Sequence, residues 1–239
     1  MNRPNAARPL FRWFLILVGV LLTGVFIIVG FWRPGLLRGQ PNAGHQLGGD
    51  MYSELSGNTV EVFKRSLAEL ENQESYLYSE CDLRETKDQE IVIFHDWDIG
   101  RLVPDTIANR AALGVKSIGA IPISELTLKQ IKSLKLRDGC EIPTLEEILE
   151  CGLEHQPKKP LLLEIKLLLT DAARNRMFEL ASDYRAESNM EVHFLAFRRN
   201  ITRSFPDERK WLNKFSESGF RVYQVFRPKT KEYDLCTTW

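Results

Sequence analysis

A chain of 239 residues, 44% of them apolar, can hold one large domain or two small ones and has ample material for a core. Lysine plus arginine balance aspartate plus glutamate at 32 each, which excludes the overall basic field that draws a protein to nucleic acid. Any charged partner must be met locally.

From Trp13 to Trp32 the segment WFLILVGVLLTGVFIIVGFW carries no charge over 20 residues. As a helix it would be about 30 Å long, the thickness of a bilayer's hydrocarbon core. Trp13 and Phe14 at one end and Phe31 and Trp32 at the other match the aromatic belts of a spanning helix. A cleaved signal peptide is the competing reading. However, the run exceeds the usual apolar stretch of about 7 to 15 residues, and no small-x-small cleavage site follows. The expected organisation is a basic tail over 1–12, a single-pass anchor over 13–32, a linker over 33–40 and a folded domain over 41–239. Arg3, Arg8 and Arg12 precede the span against Arg33 and Arg38 after it. That bias favours a cytoplasmic N-terminus, with the domain on the other side of the membrane.

Within the domain, strand and helix patterns alternate. Asn58 can cap a helix running to about Asn72, with Val60, Phe63, Leu67 and Leu70 on one face. Tyr76 to Asp82 and Glu90 to His95 read as strands. Thr127 opens a short helix, and Thr144 with Glu147 forms a capping box for TLEEILECGL. A strand over Pro160 to Leu169, a helix from Thr170, a strand over Glu191 to Phe197, a helix from Asp207 closed by Gly219 and a strand over Phe220 to Phe226 complete the pattern. This alternation predicts an α/β fold with a parallel sheet, either a barrel or a doubly wound sheet. Cys140 and Cys151 are a candidate disulfide or two buried free thiols. Asn200-Ile201-Thr202 is a formal glycosylation acceptor.

The chemistry concentrates in two stretches. LLLEIKLLL, Leu161 to Leu169, is apolar on both faces apart from Glu164 and Lys166. A carboxylate buried there needs a partner, either the lysine or a metal. In YSECDLRETKDQEIVIFHD, Glu80 and Asp82 are two apart on a strand and share a face, while His95 follows a buried apolar run. If that run is a parallel strand, His95 lies at its C-terminal end, where α/β proteins carry their active sites. Three carboxylates suit a hard divalent cation, magnesium or calcium, and no spacing suggests zinc. His155 reads as solvated and His193 as a core residue.

YSECDLRETKDQEIVIFHDWDIGRL resembles the glycerophosphodiester phosphodiesterase family, in which an acid-x-acid strand precedes a threonine-lysine-aspartate turn and a strand ending in His-Asp. IPTLEEIL and LLLEIK follow in the family's order. The resemblance implies a TIM-type (β/α) barrel that hydrolyses glycerophosphodiesters, or lysophospholipid-like diesters, to an alcohol and glycerol 3-phosphate. It implies that Glu80, Asp82 and Glu164 bind the divalent metal, that His45 and His95 exchange protons, and that Lys166 contacts the phosphate. Two positions depart from the family's pattern. Gln46 stands where arginine is usual, leaving a neutral phosphate contact, and Gly57 stands where glutamate is usual. Residues 41–239 are also short against the typical ~250 of such a barrel, and about six strands are visible, so an incomplete barrel is expected. These departures motivate a second reading, a catalytically degenerate, membrane-anchored member that acts as a binding module.

The apolar span generates a direct expectation: the protein stays in the membrane pellet through an alkaline carbonate wash. A soluble mature form beginning near Gln40 would refute the anchor.

Overall fold

A strand that is apolar on both faces is stable only where both faces are covered. In the computed structural model, which describes residues 42–49, 54–188, 190–225 and 234–236, such a run forms β3 (Leu161–Leu167), an interior strand of a six-stranded sheet. Its parallel neighbours are β1 (Ser79–Glu85) and β4 (Val192–Ala196), followed outward by β5 (Val222–Val225) and β6 (Asp234–Cys236). The other edge is β2 (Ile91–Ile93), which runs antiparallel to β1. Among the described residues no pairing joins β2 to β6, so the described strands do not by themselves close a barrel. Residues 1–40, with the apolar segment 13–32, lie outside the described residues. No helix among the described residues is long and apolar enough to cross a membrane.

The two-residue period of the strands divides the sheet's side chains between two environments. Cys81, Leu83, Leu163, Ile165, Phe194 and Val222 point outward and pack against helices in the main core. Those helices are α1 (Val60–Glu69), α4 (Leu145–His155), α5 (Asp171–Glu187), α6 (Arg198–Ser204) and α7 (Glu208–Glu217). The opposite face carries Glu80, Asp82 and Glu164, with Leu162, Leu195 and Tyr223 in a small separate cluster. Between β2 and α4 lies a lobe holding α2 (Ile107–Leu113) and α3 (Leu128–Lys132), with its own core of Val92, Phe94, Ile99, Ile131, Leu134 and Ile142.

The capping signals identify the helix starts. Thr127 with Gln130 and Thr144 with Glu147 form reciprocal boxes, and Thr170 and Asp207 cap α5 and α7. Gly219 follows α7 in the left-handed region at φ 76°.

Several expectations are corrected. Thr59, not Asn58, caps α1, accepting the Val62 N–H at 3.2 Å, and the helix ends at Glu69. β1 begins three residues later than expected because the preceding backbone is tied elsewhere: the Asn42 side chain takes the Leu77 N–H at 2.9 Å and donates to the Tyr78 carbonyl at 2.8 Å. β2 is not a parallel strand; the chain turns after Glu85 and returns along β1, so His95 arrives by a hairpin. Cys140 and Cys151 are free thiols because they sit in different cores, the lobe and the main one. Asn200 is 8% exposed within α6, so the glycosylation match falls on a buried helical residue.

Glu85 is 3% exposed and has a structural task. Its Oε2 accepts the backbone N–H of Leu169 and, at 2.9 Å, that of Thr170, anchoring the turn that leads into α5. Glu85→Ala leaves those donors without their acceptor and is expected to lower unfolding free energy by about 1–3 kcal/mol. The exposed Glu90→Ala serves as control. Equal urea midpoints for the two variants would contradict this role.

Candidate active site

Parallel pairing sets Glu80 opposite Leu162 and Asp82 opposite Glu164, so the acids of neighbouring strands converge on one face. Glu80, Asp82 and Glu164 are 2%, 0% and 0% exposed, and one oxygen of each lies within 4.8 Å of the others. Lys166, two residues along β3 from Glu164, places its Nζ 2.7 Å from Glu164 Oε1 and 2.9 Å from Asp82 Oδ1. The lysine expected to touch phosphate is thus seated among the carboxylates. One ammonium seated among three acids does not balance them when all are ionised, and Glu80 Oε1 and Glu164 Oε2 are buried without a hydrogen-bond partner among the described residues. Buried carboxylate oxygens are not left bare without cause. The donor set, the charge and these orphaned oxygens all fit a hard divalent cation.

Electrostatics reflect the crowding. Burial pushes Glu80 well above its ordinary range, and Asp82 and Glu164 beside it add to the shift. Burial and the Asp82 charge raise Glu164 to about 7 against the pull of Lys166. Burial also presses on Asp82, but Lys166, His95 and the Asn58 amide outweigh it and hold this carboxyl below its usual value. Burial pulls the Lys166 pKa down, but Asp82, Glu164 and Glu80 outweigh it and hold it above the ordinary lysine value.

Two loops bring the remaining groups. The short helical turn His45–Gly48 precedes the sheet, with Gln46 at φ 48° and Leu47 at φ 62°, both left-handed. This turn aims the Gln46 N–H at Glu80 Oε2, 3.0 Å away, and sets His45 Nε2 3.8 Å from the same oxygen. Gln46 itself is 7% exposed, and its carbonyl accepts the Asn58 N–H at 2.8 Å. Its side chain occupies the space beside Gly57, where an added Cβ would lie 2.7 Å from Gln46 Oε1. The two positions that depart from the family pattern are therefore in contact. Asn58, at φ 63°, donates from Nδ2 to Asp82 Oδ2 at 2.7 Å and accepts the Asp82 N–H on Oδ1 at 3.2 Å.

His95, at the end of the hairpin, bonds through Nδ1 to Asp96 Oδ1 at 2.8 Å, and Arg101 holds Asp96 at 2.5 and 3.0 Å. With Nδ1 engaged, Nε2 is the ring atom left for proton exchange. Burial is outweighed at Asp96 by Arg101 and His95, which keep it ionised below the usual range. Arg84 donates from Nη2 to the His95 carbonyl at 2.7 Å and from Nε to the carbonyls of Phe94 and His95 at 3.2 Å.

All seven expected site residues thus surround one region or its immediate loops. Asn58, Arg84 and Asp96 were not singled out. Asn58 had a signal, an asparagine after a glycine where left-handed backbone is cheap, but it read as a helix cap. His155 caps its own helix by bonding the Cys151 carbonyl at 2.9 Å, and His193 Nδ1 accepts the Arg221 N–H at 3.3 Å, so neither joins the site.

The sequence pattern of the Glycerophosphoryl diester phosphodiesterase family matches residues 56–232. Among solved structures, a protein assigned as a glycerophosphodiester phosphodiesterase from Galdieria sulphuraria is similar with a TM-score of 0.57 at 21% identity, over 82% of this chain and 70% of that one. A glycerophosphodiester phosphodiesterase from Parabacteroides distasonis gives 0.51 at 18% identity, over 74% of this chain and 62% of that one. At such identities the likeness concerns the fold. No curated protein sequence matches the chain.

The raised Glu164 has a consequence for stability. Its folded pKa of about 7 exceeds its ordinary 4.5, so the folded state binds the proton more tightly than the unfolded chain. Without metal, its contribution is complete below pH 4.5 and is lost as pH rises through 7, a change of about 3 kcal/mol. Glu80, also raised, acts in the same direction, the depressed Asp82 and Asp96 act below this window, and His193, lowered by burial, acts in the opposite direction. Urea unfolding in EDTA at pH 5 and pH 8 is expected to show the loss in wild type and a smaller one in Glu164→Gln, with magnesium or calcium restoring wild type at pH 8. Identical pH dependence in the two proteins would contradict it.

Proposed function

The chain belongs to the glycerophosphoryl diester phosphodiesterase family, and on that premise we propose that it hydrolyses glycerophosphodiesters to an alcohol and glycerol 3-phosphate with a divalent metal, magnesium or calcium. The observation that carries the reading is the buried triad Glu80, Asp82 and Glu164 with two carboxylate oxygens left unpaired. These three acids would hold the cation, which when bound polarises a phosphoryl oxygen and offsets the charge developing on it.

The chain's own residues account for the rest. Lys166 limits the repulsion among the acids, and Asn58 fixes the angle of Asp82. Gln46, whose side chain packs beside Gly57, would offer the phosphate only a neutral donor. In the reaction a water oxygen forms a bond to phosphorus as the bond to the leaving alkoxide breaks; one histidine of the pair His45 and His95 accepts the water's proton and the other protonates the alkoxide. Asp96 holds the His95 ring for this exchange through Nδ1. The apolar length of residues 13–32 supports a membrane anchor near which a lysophospholipid-like diester would also be within reach.

The test is release of glycerol 3-phosphate from a glycerophosphodiester by the purified protein. Excess EDTA should abolish it and magnesium or calcium restore it. Glu164→Gln is expected to cost at least a hundredfold in kcat/KM, and His95→Ala about 10²- to 10⁴-fold, while the exposed Glu90→Gln stays near wild type. A folded, metal-loaded protein that binds the diester without turning it over would support the binding-module reading instead.

A further inference from the structure

Phosphate recognition in a buried site calls for a cation with donors to spare. Lys166 is committed to Glu164 and Asp82, and Gln46 is neutral. Arg84 is the only arginine in the strands among the described residues. It lies on β1 beyond Glu80 and Asp82 at the same alternation, just past the irregularity in the pairing with β3. The guanidinium is half-buried, and its surroundings are acidic: Asp82, Asp96, Glu164 and Asp98 all stabilise its charge against the cost of burial. Nε and Nη2 are spent on the carbonyls of Phe94 and His95. Nη1 has no hydrogen-bond partner among the described residues.

We propose that Arg84 is the phosphate-binding cation of this site, holding the phosphoryl group with Nη1 while Nε and Nη2 fix the backbone that carries His95. One planar group then sets both the substrate's phosphorus and the proton-transferring histidine. Lysine cannot do both, because a point ammonium lacks the rigid fork. The inference rests on the phosphodiesterase reading for the substrate's chemistry, but it concerns phosphate binding itself and is separable from turnover.

The experiment uses the full-length protein loaded with magnesium or calcium, with inorganic phosphate and glycerol 3-phosphate as probes in calorimetry and thermal unfolding measured alongside. Arg84→Gln is expected to weaken both phosphates by about tenfold to a hundredfold, and to raise KM for a glycerophosphodiester in proportion. Arg84→Lys keeps the charge and loses the fork; it should bind phosphate within a few-fold of wild type yet lose kcat because His95 is no longer held. Folded Arg84→Gln that binds phosphate as wild type does would overturn the proposal and leave the arginine a prop for the hairpin. Wild type with no measurable phosphate binding would also overturn it. Phosphate binding that depends on Arg84 in a protein releasing no alcohol from any diester would uphold the proposal and remove the hydrolase reading instead.

Discussion

Three carboxylates buried within 4.8 Å of one another are the constraint to which the rest of the site answers. Bringing such charges out of water costs several kcal/mol for each group unless opposing charge and hydrogen bonds return it. Two nearby departures from ordinary backbone geometry supply such compensations. The left-handed Gln46 turns its N–H to Glu80, and the left-handed Asn58 reaches Asp82 through both ends of its amide. The lysine two residues along β3 supplies the one full positive charge seated between two of the acids. Strained backbone concentrated at one place is a common mark of a working site.

The legible part of this fold was the part governed by strong local signals. β3 could be read because its run is apolar on both faces, and the capping boxes at Thr127 and Thr144 because reciprocal side-chain bonds need fixed spacing. α2 and α6 were not legible: ARRAYS of small and polar residues such as IANRAAL and RRNITRS carry no clear apolar stripe, and their ends are set by packing. The start of β1 was misplaced because YLYSECD alternates well enough to be a strand throughout, whereas Asn42, distant in sequence, captures its first residues.

At the site, residue types were legible and their directions were not. A period of two put Glu80 with Asp82 on one face of a strand and Glu164 with Lys166 on one face of another, while their meeting was implied only by the resemblance; the pairing of β1 with β3 sets Asp82 opposite Glu164. His95 was assigned to the end of a parallel strand, and it reaches the same region by the opposite route, on a returning hairpin. Nothing local distinguishes these routes, since both end an apolar run on a histidine. Likewise Gln46 and Gly57 looked like two separate losses. In three dimensions they are one accommodation, an amide side chain filling the room a missing Cβ leaves.

β2 has only three residues, yet its alternation divides it between two interiors: Ile91 and Ile93 enter the main core, while Val92, followed by Phe94, enters that of the lobe. A strand shared in this way cannot leave one core without vacating the other. The lobe and the sheet are therefore expected to open as one cooperative unit, with the amides of β2 protected until the domain opens. The histidine carried just beyond β2 inherits that protection, so its placement is lost in the same event that dissolves the fold rather than in a local opening.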